Sequence, residues 1–160
     1  MNHPSSTRPL TRSMVTGAIA VIMLCAVGCS STADVGSAAD GRQRTPEAIT
    51  GKLWQWEETV TPVEKIVSPS PGNYTLQLQA DGRASVRFDC NRGGGSFRIS
   101  EPGRIAFGPL ATTMMACPPG SQAHRFGKDL GQVGSFFVES GMLYLELPVD
   151  SGTMRFRAAP

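Results

Sequence analysis

Apolar and polar side chains alternate with a period of two over much of this 160-residue chain, the pattern of strands with one buried face. The clearest run places Tyr74, Leu76 and Leu78 on one face and Thr75, Gln77 and Gln79 on the other. Ala80-Asp81-Gly82 ends it, and Asp-Gly between alternating runs predicts a hairpin because glycine accepts positive φ at no steric cost. The return strand carries Ala84, Val86, Phe88 and Cys90 toward the core, with Arg83, Ser85, Arg87 and Asp89 outward. Upstream, Lys52 to Val60 is rich in aromatic and β-branched residues, and Trp54 and Trp56, two apart, share a face where core packing is the ordinary use of such rings. Downstream, strands are expected at Ser96 to Ile99, Arg104 to Phe107, Phe136 to Glu139, Leu143 to Leu147 and Met154 to Ala158, each bounded by glycine or proline.

One segment has helical spacing instead: Ala123, Phe126, Leu130 and Val133, with Ser121 as N-cap and a stop at Gly134. Gly127 and Gly131 each weaken it by about 1 kcal/mol relative to alanine, so it must lean on tertiary packing. Gly93-Gly94-Gly95 reads as a turn and not as a phosphate loop, because a strand-like Ser96-Phe97-Arg98-Ile99 follows where a helix would be needed. Seven or eight short strands, one short helix and no βαβ pattern predict a mainly β fold, a small antiparallel barrel or curled sheet, over residues 51–160.

The N-terminal portion is of another kind. Residues 1–28 begin with Arg8 and Arg12 and continue with an apolar run from Met14 to Val27, short for a span of about 20 residues but suited to the core of an export signal. Ala26-Val27-Gly28-Cys29 resembles the bacterial lipoprotein signal, which implies a lipid on Cys29 as the mature N-terminus; the alternative is an ordinary secretory signal with Cys29 incidental. Several acyl chains on one terminus hold a domain at a bilayer without a spanning helix. Residues 29–50, rich in Ser, Ala, Gly, Thr and Asp with no apolar period, are expected to be a flexible tether, with order starting at Gly51. The formal net charge of +2 resides in the signal, since from Cys29 onward thirteen Lys and Arg balance thirteen Asp and Glu. A nucleic-acid partner is therefore not expected.

Cys90-Asn91-Arg92, followed by Phe107-Gly108-Pro109-Leu110-Ala111-Thr112-Thr113-Met114-Met115-Ala116-Cys117, resembles the signature of the META domain (HslJ-like) family of bacterial envelope proteins. The resemblance covers roughly residues 52–158 and implies a compact β-barrel-like fold. It also implies a role in heat shock, antibiotic tolerance or the cell surface, without catalysis. Past an export signal the compartment is oxidising, which favours a Cys90–Cys117 disulfide. Its rivals are a metal site using both cysteines with His124, for which Cys-x2-Cys spacing is absent, and a reactive thiol pair.

Candidate chemistry is sparse. Asp89, Asn91 and Arg92 either organise the turn after Cys90 through side-chain to backbone hydrogen bonds or form a surface for specific recognition. His124, the one histidine after Cys29, has no Gly-x-Ser-x-Gly elbow to work with and reads as a surface residue. Adjacent strand residues face opposite ways, so Glu57 and Glu58 are not expected to share a site. A ligand pocket is expected at a barrel mouth rimmed by the 61–73 loop and the 91–96 turn. The sequence thus predicts a non-enzymatic binding or envelope-integrity protein, exported and lipid-anchored to the cell membrane or outer membrane, with no catalytic residue, metal or cofactor. Its partners are the membrane, through the lipid, and an unidentified envelope partner or ligand. The alternative is a surface-exposed enzyme, or an enzyme inhibitor presenting the Pro-rich 68–72 loop.

Overall fold

The structure is a computed structural model that describes residues 41–160; the expected signal peptide, Cys29 and most of the expected tether lie outside the described residues. Ten strands form: β1 Leu53–Val60, β2 Lys65–Val67, β3 Tyr74–Leu78, β4 Arg83–Phe88, β5 Asn91–Glu101, β6 Arg104–Phe107, β7 Ala111–Thr112, β8 Ser135–Glu139, β9 Met142–Glu146 and β10 Thr153–Ala158. The helices are α1, Pro46–Ile49, and α2, Ala123–Leu130. Hydrogen-bonded neighbours run β10-β9-β8-β6-β5-β4-β3-β1, and β1 pairs back onto β10. Eight antiparallel strands therefore close a barrel, as the alternation predicts, while β2 and β7 are short additions on β1 and β5.

The alternation is satisfied pair by pair. Tyr74 faces Phe88, Leu76 faces Val86 and Leu78 faces Ala84 across the β3–β4 hairpin, and all six are buried. Gly82 makes the turn at φ 85°. Trp56 opposes Phe156 where the barrel closes, and both are fully buried. Phe126 of α2 is buried against this cluster, its ring centroid 5.2 Å from Trp56, 5.7 Å from both Tyr74 and Phe88, and 6.1 Å from Phe156. Stacked and edge-on aromatic pairs at such distances add to the burial of the rings themselves. The helix ends at Leu130 with Gly131 as its C-cap, short of the stop expected at Gly134, and with Gly127 inside it holds by burying Phe126 and Leu130 in the barrel.

Four expectations are corrected. Order starts before Gly51: Gln43 exchanges two 2.8 Å backbone hydrogen bonds with Val138, and α1 buries Ile49 beside Trp54, whose Nε1 donates to the Ile49 carbonyl at 2.8 Å. Two adjacent apolar residues, Ala48 and Ile49, in a four-residue helix leave no period to read. Gly93-Gly94-Gly95 is the first half of the eleven-residue strand β5, paired with Val86, Ser85 and Ala84; the turn is Asp89-Cys90, with Asp89 at φ 59°. A Cβ on Gly93 would stand 2.9 Å from both the Phe88 ring and the Ala111 carbonyl, so the glycines admit a close crossing of chains. That turn takes Cys90 out of the alternation, leaving it half-buried at the rim and not facing the core. Finally, a bulge in β1 between Trp56 and Glu58 puts both glutamates on one guanidinium, with Arg155 at 3.4 Å from Glu57 and 3.2 Å from Glu58. Lys65 and Arg157 complete this cluster, which is an ion-pair network on the barrel wall.

Candidate functional site

After β6 the chain leaves the barrel at Gly108-Pro109, touches β5 again through β7, and runs along Asn91 before reaching α2. Two ties hold this excursion. The first is the disulfide between Cys90 and Cys117, with Cα atoms 5.6 Å apart. With both sulfurs in that bond, the thiolate metal site and the free thiol pair left open by the sequence are not what the structure holds. The second is the Asn91 side chain: Nδ2 donates to the Met115 carbonyl at 3.0 Å, while Oδ1 accepts from the Met115 amide at 2.7 Å and the Thr113 hydroxyl at 2.9 Å. The side chain mimics a strand partner for residue 115.

Between this tied loop and α2 lies a groove of about 1150 Å³. Its floor includes Phe88 and Phe107, one wall is Pro109 to Pro118, and the other is the α2 face carrying Ala123, Gly127 and Gly131. A Cβ on Gly127 would stand 3.1 Å from the Phe88 ring, so this glycine lets the helix lie close over the floor. The helix is anchored at its start by Tyr74, whose hydroxyl accepts from the Gln122 amide at 2.8 Å. Ser121, expected as the N-cap, lies one residue before it: Gln122 takes that position, and the Ser121 hydroxyl accepts from the Ala123 amide at 3.3 Å.

The lining is mostly apolar and contains no Asp or Glu. Its titratable side chains are His124 and Lys128, one turn apart on α2, both exposed and neither in an ion pair among the described residues. Met114 is 94% exposed and Met115 58%. Next to the groove, Arg125 pairs with the buried Asp129 at 2.9 Å and with Glu64 at 3.0 Å, and those hydrogen bonds, Asp129 first, hold its guanidinium above its ordinary value.

The three candidate recognition residues separate. Asn91 organises the rim, one of the two roles the sequence allowed it. The Asp89 carboxylate accepts from Asn73 Nδ2 at 3.3 Å, and Arg92 is exposed on the outer wall opposite Arg87. Neither Asp89 nor Glu57 lines the groove with His124. The expected mouth is also displaced: residues 61–73 fold back on the barrel wall, through β2 and the 2.7 Å hydrogen bond from the Ser68 amide to the Glu57 carbonyl, and only Asn91 of the 91–96 stretch reaches the groove. Thr61 and Pro62 instead border a second cavity of about 550 Å³. No cluster of three or more His, Cys, Asp or Glu placed to hold a metal occurs among the described residues. Sequence reasoning missed Leu110, Met114 and Met115 as groove residues because a loop has no period from which to assign a face, and Lys128 because it lies on the face of α2 away from the buried Phe126 and Leu130.

Comparison with known proteins agrees on the architecture. A protein from Burkholderia xenovorans solved by NMR is similar, with a TM-score of 0.59 and 24% identity over 71% of this chain and 85% of that one. A DUF4847 family protein from Bacteroides vulgatus has a TM-score of 0.54 and 11% identity over 69% of this chain and 94% of that one. At such identities the likeness is one of fold. No curated protein matches. The family profile described as META domain matches residues 47–160, taking in α1, the barrel strands and both walls of the groove. With this match over most of its length, and with the Cys-Asn-Arg and Met-Ala-Cys motifs both present and joined by the disulfide, the chain belongs to the META domain family.

Proposed function

We propose that this chain is an exported binding domain, carried by a lipid on Cys29 and working through the groove between α2 and the 109–118 loop, in the service of the cell envelope. The observation that carries the reading is the groove itself: an apolar concavity held open by a disulfide and an asparagine, with an exposed lysine and an exposed histidine on one wall and no carboxylate to form a proton relay with His124. Ligand sites are typically concave and apolar with few oriented polar groups, whereas acid–base catalysis needs converging titratable groups. The half-buried disulfide fits a domain outside the cytoplasm. None of the described helices is long and apolar enough to cross a membrane, so an anchor would have to come from elsewhere in the chain.

Intact mass of the protein extracted from membranes, with and without reductant and alkylation, tests this reading. The expected species starts at Cys29 with a diacylglyceryl addition and gains alkyl groups on Cys90 and Cys117 only after reduction. A mature chain that starts elsewhere and carries no lipid would overturn the anchor.

A further inference from the structure

We infer that the groove takes a free single-chain amphiphile with an anionic head, such as a long-chain carboxylate, its chain lying along the methionine loop and its head at Lys128 and His124. The inference deepens the reading of the groove as the working surface and rests on it.

Three features converge on this ligand class. The groove is long enough to involve residues from Phe88 and Phe107 at its floor to Gly131 at the far end of α2, and its volume of about 1150 Å³ is somewhat above the usual range for small-molecule sites. Leu110, Met114 and Met115 supply flexible apolar surface on one wall, and methionine adapts to irregular chains better than branched side chains do. Large apolar side chains left this open mark interaction surfaces when they are contiguous with a concavity. The charge is one-sided: Lys128 supplies a cation, the His124 imidazole stands one turn away on the same helix face, no acidic residue lines the groove, and the nearby carboxylates of Asp129 and Glu64 are occupied by Arg125. A cationic head would meet no counter-charge and a neutral one would leave Lys128 unused. A recessed site between two walls suits a chain free in solution more than one still packed in a bilayer.

The test uses the exported chain with Cys29→Ala, which carries no acyl group of its own, and 11-(dansylamino)undecanoate as probe. Expected are saturable one-to-one binding with a blue-shifted emission, displacement by hexadecanoate, and weaker displacement by hexadecanol and by hexadecyltrimethylammonium. Met115→Glu, at an exposed position that leaves the fold intact, should abolish binding. Lys128→Glu should weaken hexadecanoate by about five- to tenfold while leaving hexadecanol unchanged, the scale expected for reversing one exposed charge. If hexadecanol competes as well as hexadecanoate and Lys128→Glu has no effect, the anionic specificity is overturned and the groove remains a binding surface. Self-association of the unliganded chain that Met115→Glu abolishes would replace the amphiphile by a second copy. Sedimentation of the chain with phosphatidylglycerol vesicles, lost in Met115→Glu, would replace the free ligand by a bilayer. Probe binding indifferent to both substitutions, or no binding at all, overturns the ligand, and in the first case the groove reading with it.

Discussion

Removing the Cys90–Cys117 bond should cost this domain a large part of its stability. The bond spans a sequence separation of 27 residues, so it closes a loop of 28 counting both cysteines. In the chain-entropy treatment a loop of that size restricts the unfolded chain by about 3 to 4 kcal/mol at 25 °C. The closed loop contains β5, β6 and β7, whose ladders persist in the folded state without the bond, so most of the loss falls on the unfolded side of the equilibrium. For a domain of this size each kcal/mol moves the melting temperature by roughly 3 to 5 °C, which places the expected drop at about 9 to 20 °C. The assay is calorimetry of the Cys90→Ala/Cys117→Ala double variant against the oxidised parent, with reduced and alkylated parent as a second comparison. A drop below about 5 °C in both would refute the reasoning, since it would mean that the unfolded chain is already constrained or that the loop's anchor lies elsewhere.

Three further outcomes follow from the same geometry. Asn91→Ala removes three hydrogen bonds at the rim, and with water replacing them in part it should cost about 1 to 2 kcal/mol by urea denaturation and speed amide exchange at Thr113 and Met115. Gly93→Ala should cost about 1 to 3 kcal/mol, because the new methyl meets the Ala111 carbonyl and the Phe88 ring at 2.9 Å, whereas Gly94→Ala, whose nearest neighbour is 3.3 Å away, should cost less; equal losses would contradict the close crossing at β7. Phe126→Ala withdraws the ring shared by Trp56, Tyr74, Phe88 and Phe156 and should cost about 3 to 5 kcal/mol, with loss of near-ultraviolet circular dichroism from the Trp56 environment.

The barrel was legible in the sequence because a period of two survives wherever one face is buried, and the buried Tyr74, Leu76, Leu78, Ala84, Val86 and Phe88 are the ones the alternation selects. Where the period is interrupted, the reading went astray. At Asp89 a left-handed residue inverts the inward and outward assignment, so Cys90 lands on the rim although parity sent it to the core. In β1 the bulge after Trp56 brings Glu57 and Glu58 to the same arginine although adjacency set them on opposite faces. The three glycines have no side chain to report a face, and only the partner strands show that they are paired backbone and not a turn. The groove was the least legible part. Its walls come from a loop and from the less apolar face of a helix, and neither carries a period tied to burial.

The open groove itself needs an explanation in energy. Apolar walls facing each other across water gain by closing, at roughly 25 cal/mol for each Å² covered, and a loop as long as residues 108–122 has ample freedom to collapse onto α2. Here the loop is drawn away from the helix at two successive points, by the disulfide at Cys117 and by Asn91 at Met115, while α2 is fixed on the other side by Tyr74 at its start and Phe126 beneath it. The two walls are therefore tied to the barrel and not to each other. Closure would require breaking ties on one wall, so a ligand that fills the space recovers the apolar burial without disturbing either set. By this reasoning the signature residues around Cys90-Asn91 and Met115-Ala116-Cys117 set the shape of the groove, while a ligand of the kind proposed would be chosen by Met114 and Met115 on the loop and by His124 and Lys128 on the helix.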